Sequence, residues 1–272
     1  MAPKTKAAPP PLFGVRTRIA SGTGRAISIG SVMLLFVAWF VTTLGEKPLI
    51  DPLKLPPPNE VLRALVQLLF TDLGPELGVS ALRVSIAFVL CIAVSLPLGV
   101  LMGSFEAINR WIDPVIAPLR FTPMNAFVPL FIMWFGIDET EKIAFLFFAT
   151  VVFLLPIVVD AIRSVPEELV QTAQTLGASK WQLVSTVLVP AALPQIFDSF
   201  RVMNGIAWGY ILLAEMVNSR HGIGHLFDAA WRANRSDQIL ALILVVGVVG
   251  LISDLAIRTV NGLLFRWREA DA

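Results

Sequence analysis

The sequence predicts an all-α integral membrane protein with about six transmembrane helices, and three observations carry that prediction. Apolar residues make up 56% of the 272-residue chain against 15% charged, for a mean hydropathy of +0.75, more apolar than a water-facing domain of this size requires. The apolar residues gather into long runs, and no stretch alternates with the two-residue period of a half-buried strand. Each run approaches the ~20 residues that cross about 30 Å of hydrocarbon, where backbone polar groups must be satisfied within the segment, so the runs are helices.

The first run, 27–44, follows Lys4, Lys6, Arg16, Arg18 and Arg25. A secretory signal starts the same way, but this run is long and leads into Thr42-Thr43-Leu44-Gly45-Glu46 rather than a small-x-small cleavage site, so it reads as an uncleaved first helix. The tail before it, 1–26, carries Pro9-Pro10-Pro11 and reads as disordered. Leu55-Pro56-Pro57-Pro58 cannot continue a helix; Asn59 then caps one in which Val61, Leu62, Leu65, Leu68 and Leu69 share a face, as in a helix lying at a membrane interface. Further spans follow at 84–102, 114–135, 143–159, 194–214 and 239–257, within a membrane body of 27–267 and before a short tail, 268–272. The span 114–135 contains Pro114, Pro118, Pro123 and Pro129, so its hydrogen-bond ladder is interrupted several times.

Positive charge near span ends favours the cytoplasm. Five basic residues precede the first span and Arg258, Arg266 and Arg268 follow the last, which places both termini inside. Arg110, Arg163 and Lys180 then fall in inside loops, and Asp138, Glu139 and Glu141 in an outside one; Arg220, Arg232 and Arg235 run against the trend. A net charge of +1 without a basic stripe argues against a nucleic-acid partner. Cys91 is the only cysteine, which excludes an intrachain disulfide and a cysteine-rich metal site.

One inside loop, 163–185, is polar and helix-forming. Pro166, Glu167 and Glu168 suit a helix N-terminus, Leu169, Ala173 and Leu176 recur on one face, and Gly177 can end the helix in a left-handed conformation. Ser179 and Gln182 have the spacing of a capping box for a second short helix. A helix, glycine, helix bump can transmit a push from a docked partner; an amphipathic connector between membrane helices would share the pattern.

Followed by Val189-Pro190-Ala191-Ala192-Leu193-Pro194, this segment resembles the EAA loop of ATP-binding-cassette (ABC) importer permeases. The resemblance runs over 59–267 and points to the nitrate/sulfonate/taurine/bicarbonate branch. It implies a type I importer permease-like bundle whose cytoplasmic coupling helices insert into a separate ATPase, with Glu168, Gln171, Ala173, Leu176, Gly177, Ala178, Ser179 and Trp181 as coupling residues. The family's Glu-Ala-Ala stands here as Gln171-Thr172-Ala173, so a neutral amide replaces the usual carboxylate. The resemblance also implies two ATPase copies, a second permease copy in a homodimer, an external solute-binding protein, and a multi-pass location in a bacterial inner membrane. The cargo it implies is a small anion.

No lysine follows a glycine, so no phosphate-cradling Gly-Lys-Ser/Thr motif exists. The chain is expected to need no cofactor, with ATP and Mg held by the partner ATPase. A path through the bilayer requires polar or broken helices that face protein or water. Two places qualify: Arg120 and Asn125 in the proline-rich span, and Asp198, Arg201 and Asn204 in the fifth. For Arg201 two readings stand, contact with an anion or a pair with Asp198 three residues earlier; for Arg120, cargo contact or capping of freed carbonyls. Ala214-Glu215-Met216 with Gly222-Ile223-Gly224 looks like the family's outer gate, or Glu215 anchors the helix end. A membrane-embedded enzyme would need a metal cluster or a paired acid and base; His221 and His225 have zinc-pair spacing, but Gly222 and Gly224 oppose the continuous helix it needs.

Overall fold

The computed structural model describes residues 21–43, 48–217 and 219–265, all helix or connection, with no strand among them. The tail residues 1–20 and 266–272, on which the expected disorder and several of the orientation-setting charges fall, lie outside the described residues. The chain divides at 63/64, inside the expected 27–267 body, into two units.

The first unit contains α1 (Ser21–Thr43) and the first turns of α2 (Pro58–Phe70). α1 carries Arg25 in its first turns, then an apolar stretch, and is long enough to span a bilayer. Trp39 Nε1 donates to the Pro56 carbonyl at 3.1 Å, tying the end of α1 to the proline turn. Pro57 accepts from the Glu60 and Val61 amides, so α2 begins at Pro58 and Asn59 sits inside its first turn rather than capping it. Proline suits that place because a first-turn amide has no helical acceptor.

The second unit is built on four long helices: α3 (Leu73–Ser104), α6 (Glu139–Arg163), α9 (Val189–Met216) and α11 (Ser236–Leu264). α3 and α6 pack backbone to backbone. A Cβ at Gly99 would lie 2.7 Å from Val158 Cβ, and one at Gly103 equally close to Ile162 Cβ, with the Leu155 and Val159 carbonyls at 3.2 and 3.1 Å. Glycines four apart place this groove on one face of α3. Cys91, Leu154, Val158, Ile196 and Phe200 fill the core where α3, α6 and α9 meet.

The expected span 114–135 is instead a bent pair. α4 (Glu106–Leu119) starts eight residues before Pro114, and after a break at 120–123 the chain resumes as a 3-10 turn (Met124–Phe127) and α5 (Val128–Phe135), bent by 92°. The prolines act unequally: Pro114 and Pro118 ride within α4, while Pro123, extended at ψ 112°, is where the helix cannot continue. Met124, Val128 and Phe131 then pack on Phe145, Ala149 and Ala214. The other expected spans hold, each longer than its apolar run.

Candidate functional site

The segment 163–185 forms the predicted pair of short helices. α7 (Glu167–Thr175) ends in a Schellman motif: Gly177 adopts φ +80°, its amide donates to Gln174 O at 2.9 Å, and the Ala178 amide reaches Ala173 O at 3.0 Å. α8 (Lys180–Gln182) opens on a complete capping box, Ser179 N to Gln182 Oε1 at 2.8 Å and Gln182 N to Ser179 Oγ at 3.4 Å. α8 continues through one π-helical stretch, Leu183–Leu188, into α9. Pro190 and Pro194 lack amides that would regularise this junction, and Ser185 and Thr186 hydroxyls cap the Trp181 and Gln182 carbonyls at 2.9 and 2.6 Å.

Val165 and Val170 anchor the segment on the core. Glu168, Gln171, Ser179 and Leu169 are exposed, Ala173 and Ala178 half-buried, Leu176 is 82% exposed and Trp181 66%. The Trp181 indole makes an edge-type ring contact with Phe105, centroids 5.6 Å apart. Rigid caps thus hold apolar side chains away from the body. At this same end Glu106 bridges Arg110 and Arg163 at 2.8 and 3.0 Å, so these two cations lie together with the segment.

In α9 two of the predicted polar residues, Asp198 and Arg201, face α11. Arg201 donates from Nε and Nη2 to Asp254 Oδ1 and Oδ2 at 2.8 and 2.9 Å, and Asp198 Oδ1 accepts from Asn261 Nδ2 at 2.8 Å. To the two readings for Arg201 the geometry adds a third: its hydrogen bonds go across to Asp254 on α11, and Asp198 remains a nearby negative charge rather than its hydrogen-bond partner. Asp254 lies inside α11, ten residues before its end. Asn204 is buried, and its Oδ1 has no hydrogen-bond partner among the described residues. Arg120 closes α4 at the 92° break and Asn125 follows in the 3-10 turn; both are exposed, and no hydrogen bond joins them to the α9 group among the described residues.

A further polar centre lies at the opposite end of α6 from the helix pair, about 36 Å along the helix at 1.5 Å per residue. Arg83 of α3, 3% exposed, binds Glu139 bidentately through Nε and Nη2, while Nη1 reaches Glu215 Oε1 at 2.7 Å and the His221 carbonyl at 2.8 Å. Glu215, at the end of α9 and fully buried, also accepts from Ser80 Oγ at 2.8 Å and from the Gly224 amide at 2.9 Å. Ser80 Oγ accepts from Ile223 N, and Glu76 from Gly222 N and His221 Nδ1. Glycine is required at 222 and 224, where a Cβ would collide with the Glu215 side chain, and Gly222 has φ +112°. This fold of the chain leads into α10 (Ile223–Arg232). A cleft of about 460 Å³, lined in part by Arg83, Asp138, Glu139, Lys142, Arg220 and His221, opens beside it. Of this centre, sequence reading singles out Glu215 and the glycines; Arg83 and Glu139 escape it because their partners lie 132 and 56 positions away.

Long spans, a broken helix, and a capped polar helix pair at one end define a membrane transport subunit. The chain belongs to the family of binding-protein-dependent transport system inner membrane components, whose model matches residues 95–266, and it is a multi-pass inner-membrane protein. It is 31% identical over 247 residues, 89% of each chain, to the taurine transport system permease protein TauC of Escherichia coli (strain K12). It is 30% identical to the putative aliphatic sulfonates transport permease protein SsuC of Bacillus subtilis (strain 168), covering 87% of this chain and 86% of that one. Against the nitrate import permease protein NrtB of Synechocystis sp. it is also 30% identical, covering 82% and 83%. The fold matches the MetNI methionine ABC transporter in an inward-facing conformation, with TM-score 0.56 at 19% identity over 66% of this chain and 92% of that one. An amino acid ABC transporter matches with TM-score 0.57 at 15% identity, over 80% and 98%.

Proposed function

We propose that this chain is the permease subunit of an ATP-driven importer that carries a small anionic solute, of the sulfonate, taurine, nitrate or bicarbonate class, into the cytoplasm. The observation that carries the reading is the capped helix pair at 163–185, which holds Leu176 and Trp181 out from the body as a docking surface. A separate ATPase binds there, holds ATP and Mg, and drives alternating access; an external solute-binding protein delivers the cargo to the other end. Two copies of the chain pair as a homodimer, with both termini cytoplasmic. The relatives' named solutes support an anionic cargo. Since Arg201 already spends two donors on Asp254, Arg120 at the helix break is the better placed cation for a passing anion.

The test is Gly177→Val beside Gly177→Asn in the assembled complex. A β-branched residue opposes φ +80°, whereas Asn tolerates the left-handed region. The Val variant is expected to lose the ATPase on purification and to lose uptake, while the Asn variant keeps both. Unchanged recovery of ATPase and unchanged uptake in Gly177→Val would sink the reading.

A further inference from the structure

Resting on the importer reading, we propose that Arg83 is a positioning residue of the transport cycle: it clamps the segment leaving α9 to the start of α6, and its Glu139 arm releases when the outer face opens. One guanidinium, 3% exposed, joins three elements, because its rigid fork serves Glu139 on α6 while Nη1 serves Glu215 on α9 and the carbonyl of His221. A lysine ammonium, a single point donor, could not span both carboxylates in this geometry.

The two arms differ in what separation would cost. Glu215 is wholly buried and braced by Ser80 and the Gly224 amide, so parting it from Arg83 would strand a buried charge. Glu139 has a side chain 62% exposed and, among the described residues, hydrogen-bonds to Arg83 alone; facing a 460 Å³ cleft, it exchanges the guanidinium for water. The Glu139 arm is therefore the one that opens.

The surrounding packing decides which element moves. Glu76 and Ser80 hold the amides of Gly222 and Ile223, so the segment after α9 stays with α3. The close contact of Gly99 and Gly103 with Val158 and Ile162 fixes α3 and α6 to each other toward the coupling end. With that end pinned, release of Glu139 lets the first turns of α6 swing away from α3 about a remote pivot. A site that widens outside while the coupling end holds its packing is what an importer needs when it accepts cargo.

The experiment places spin labels on cysteines at Thr140 and Ser219, which line the cleft from α6 and from the segment after α9, in the complex with its ATPase in lipid nanodiscs. Native Cys91 is fully buried and stays unlabelled. Without nucleotide the unaltered complex is expected to give one short distance, and with ATP and vanadate a longer one. Glu139→Gln should populate the longer distance without nucleotide, by about ten-fold, the scale of a lost hydrogen bond to a charged group, and raise hydrolysis in the absence of solute-binding protein. Arg83→Lys should do the same, whereas Glu139→Asp should restore part of the short distance. A distance unmoved by nucleotide in the unaltered complex would overturn the proposal. So would a Glu139→Gln complex that melts at lower temperature while its distance and basal hydrolysis stay unchanged. Failure of the unaltered complex to drive uptake would instead remove the importer reading, and the distance comparison would still decide the clamp.

Discussion

Arg201 illustrates how packing, rather than spacing, selects a partner. Asp198 stands three residues earlier on the same helix, yet both of the donors Arg201 uses go to Asp254, 53 positions on, because α9 and α11 lie side by side and a carboxylate accepts the guanidinium fork bidentately. Asp198 takes Asn261 instead, so two polar rungs join the helices. Local spacing offers Asp198 as one candidate partner beside a passing anion, and nothing in one sequence marks a carboxylate half a hundred residues away as the answer. The expected consequence is a specific rescue. Asp254→Asn alone leaves Arg201 without its counter-charge and should lower both the melting temperature in detergent and uptake. Asp254→Asn with Arg201→Gln should recover most of the loss, since a neutral pair leaves no uncompensated charge, whereas Asp198→Asn with Arg201→Gln should not. Equal recovery by the two double variants would remove the assignment of Asp254 as partner.

At the scale of elements, the legible features were those whose determinants lie within a few residues of one another. The Gly177 stop and the Ser179–Gln182 capping box are local contracts between backbone and side chain, and both appear where the residue types require them. The bend after α4 was half legible: four prolines announced interruption, but only packing of Met124, Val128 and Phe131 on α6 and α9 settles that the break becomes a 92° turn. The α3 and α6 contact was not legible, because Gly99 and Gly103 read equally well as lipid-facing glycines until Val158 and Ile162 are set against them. Here two effects oppose one another. Gly to Ala inside a helix ordinarily gains up to about 1 kcal/mol, but at Gly99 the new Cβ stands 2.7 Å from Val158, and overpacking of this kind costs about 1–3 kcal/mol. Gly99→Ala should therefore lower the thermal midpoint of the purified chain, while Gly250→Ala, whose Cβ meets nothing within 4 Å, should leave it unchanged or raise it. Equal effects at the two positions would mean that the close approach of α3 and α6 is not a constraint.

Across the second unit, α6 connects two chemically different ends: a cluster of charged side chains around Arg83 at one, and the exposed apolar side chains of the capped helix pair, the proposed docking surface, at the other. The division implies that assembly and folding can be damaged separately. Trp181 is 66% exposed and makes an edge-type ring contact with Phe105, so Trp181→Ala should change the stability of the chain by less than about 1 kcal/mol, the range of exposed sites and single ring contacts. An exposed indole held on a capped helix is, however, the kind of side chain that carries the energy of an interface, and its truncation there costs about 2 kcal/mol or more, close to thirty-fold in affinity. The prediction joins the two measurements on one variant. Trp181→Ala should melt with the unaltered chain in detergent, should bind the separately purified ATPase at least ten-fold more weakly by titration, and should show correspondingly reduced uptake at limiting ATPase. The chain without that ATPase should hydrolyse no ATP in either form, as no lysine of its sequence stands in a Gly-Lys-Ser/Thr motif. Binding of the ATPase with full affinity by Trp181→Ala would move the docking surface elsewhere on the chain, and loss of thermal stability in step with the loss of binding would make Trp181 a structural residue rather than a contact.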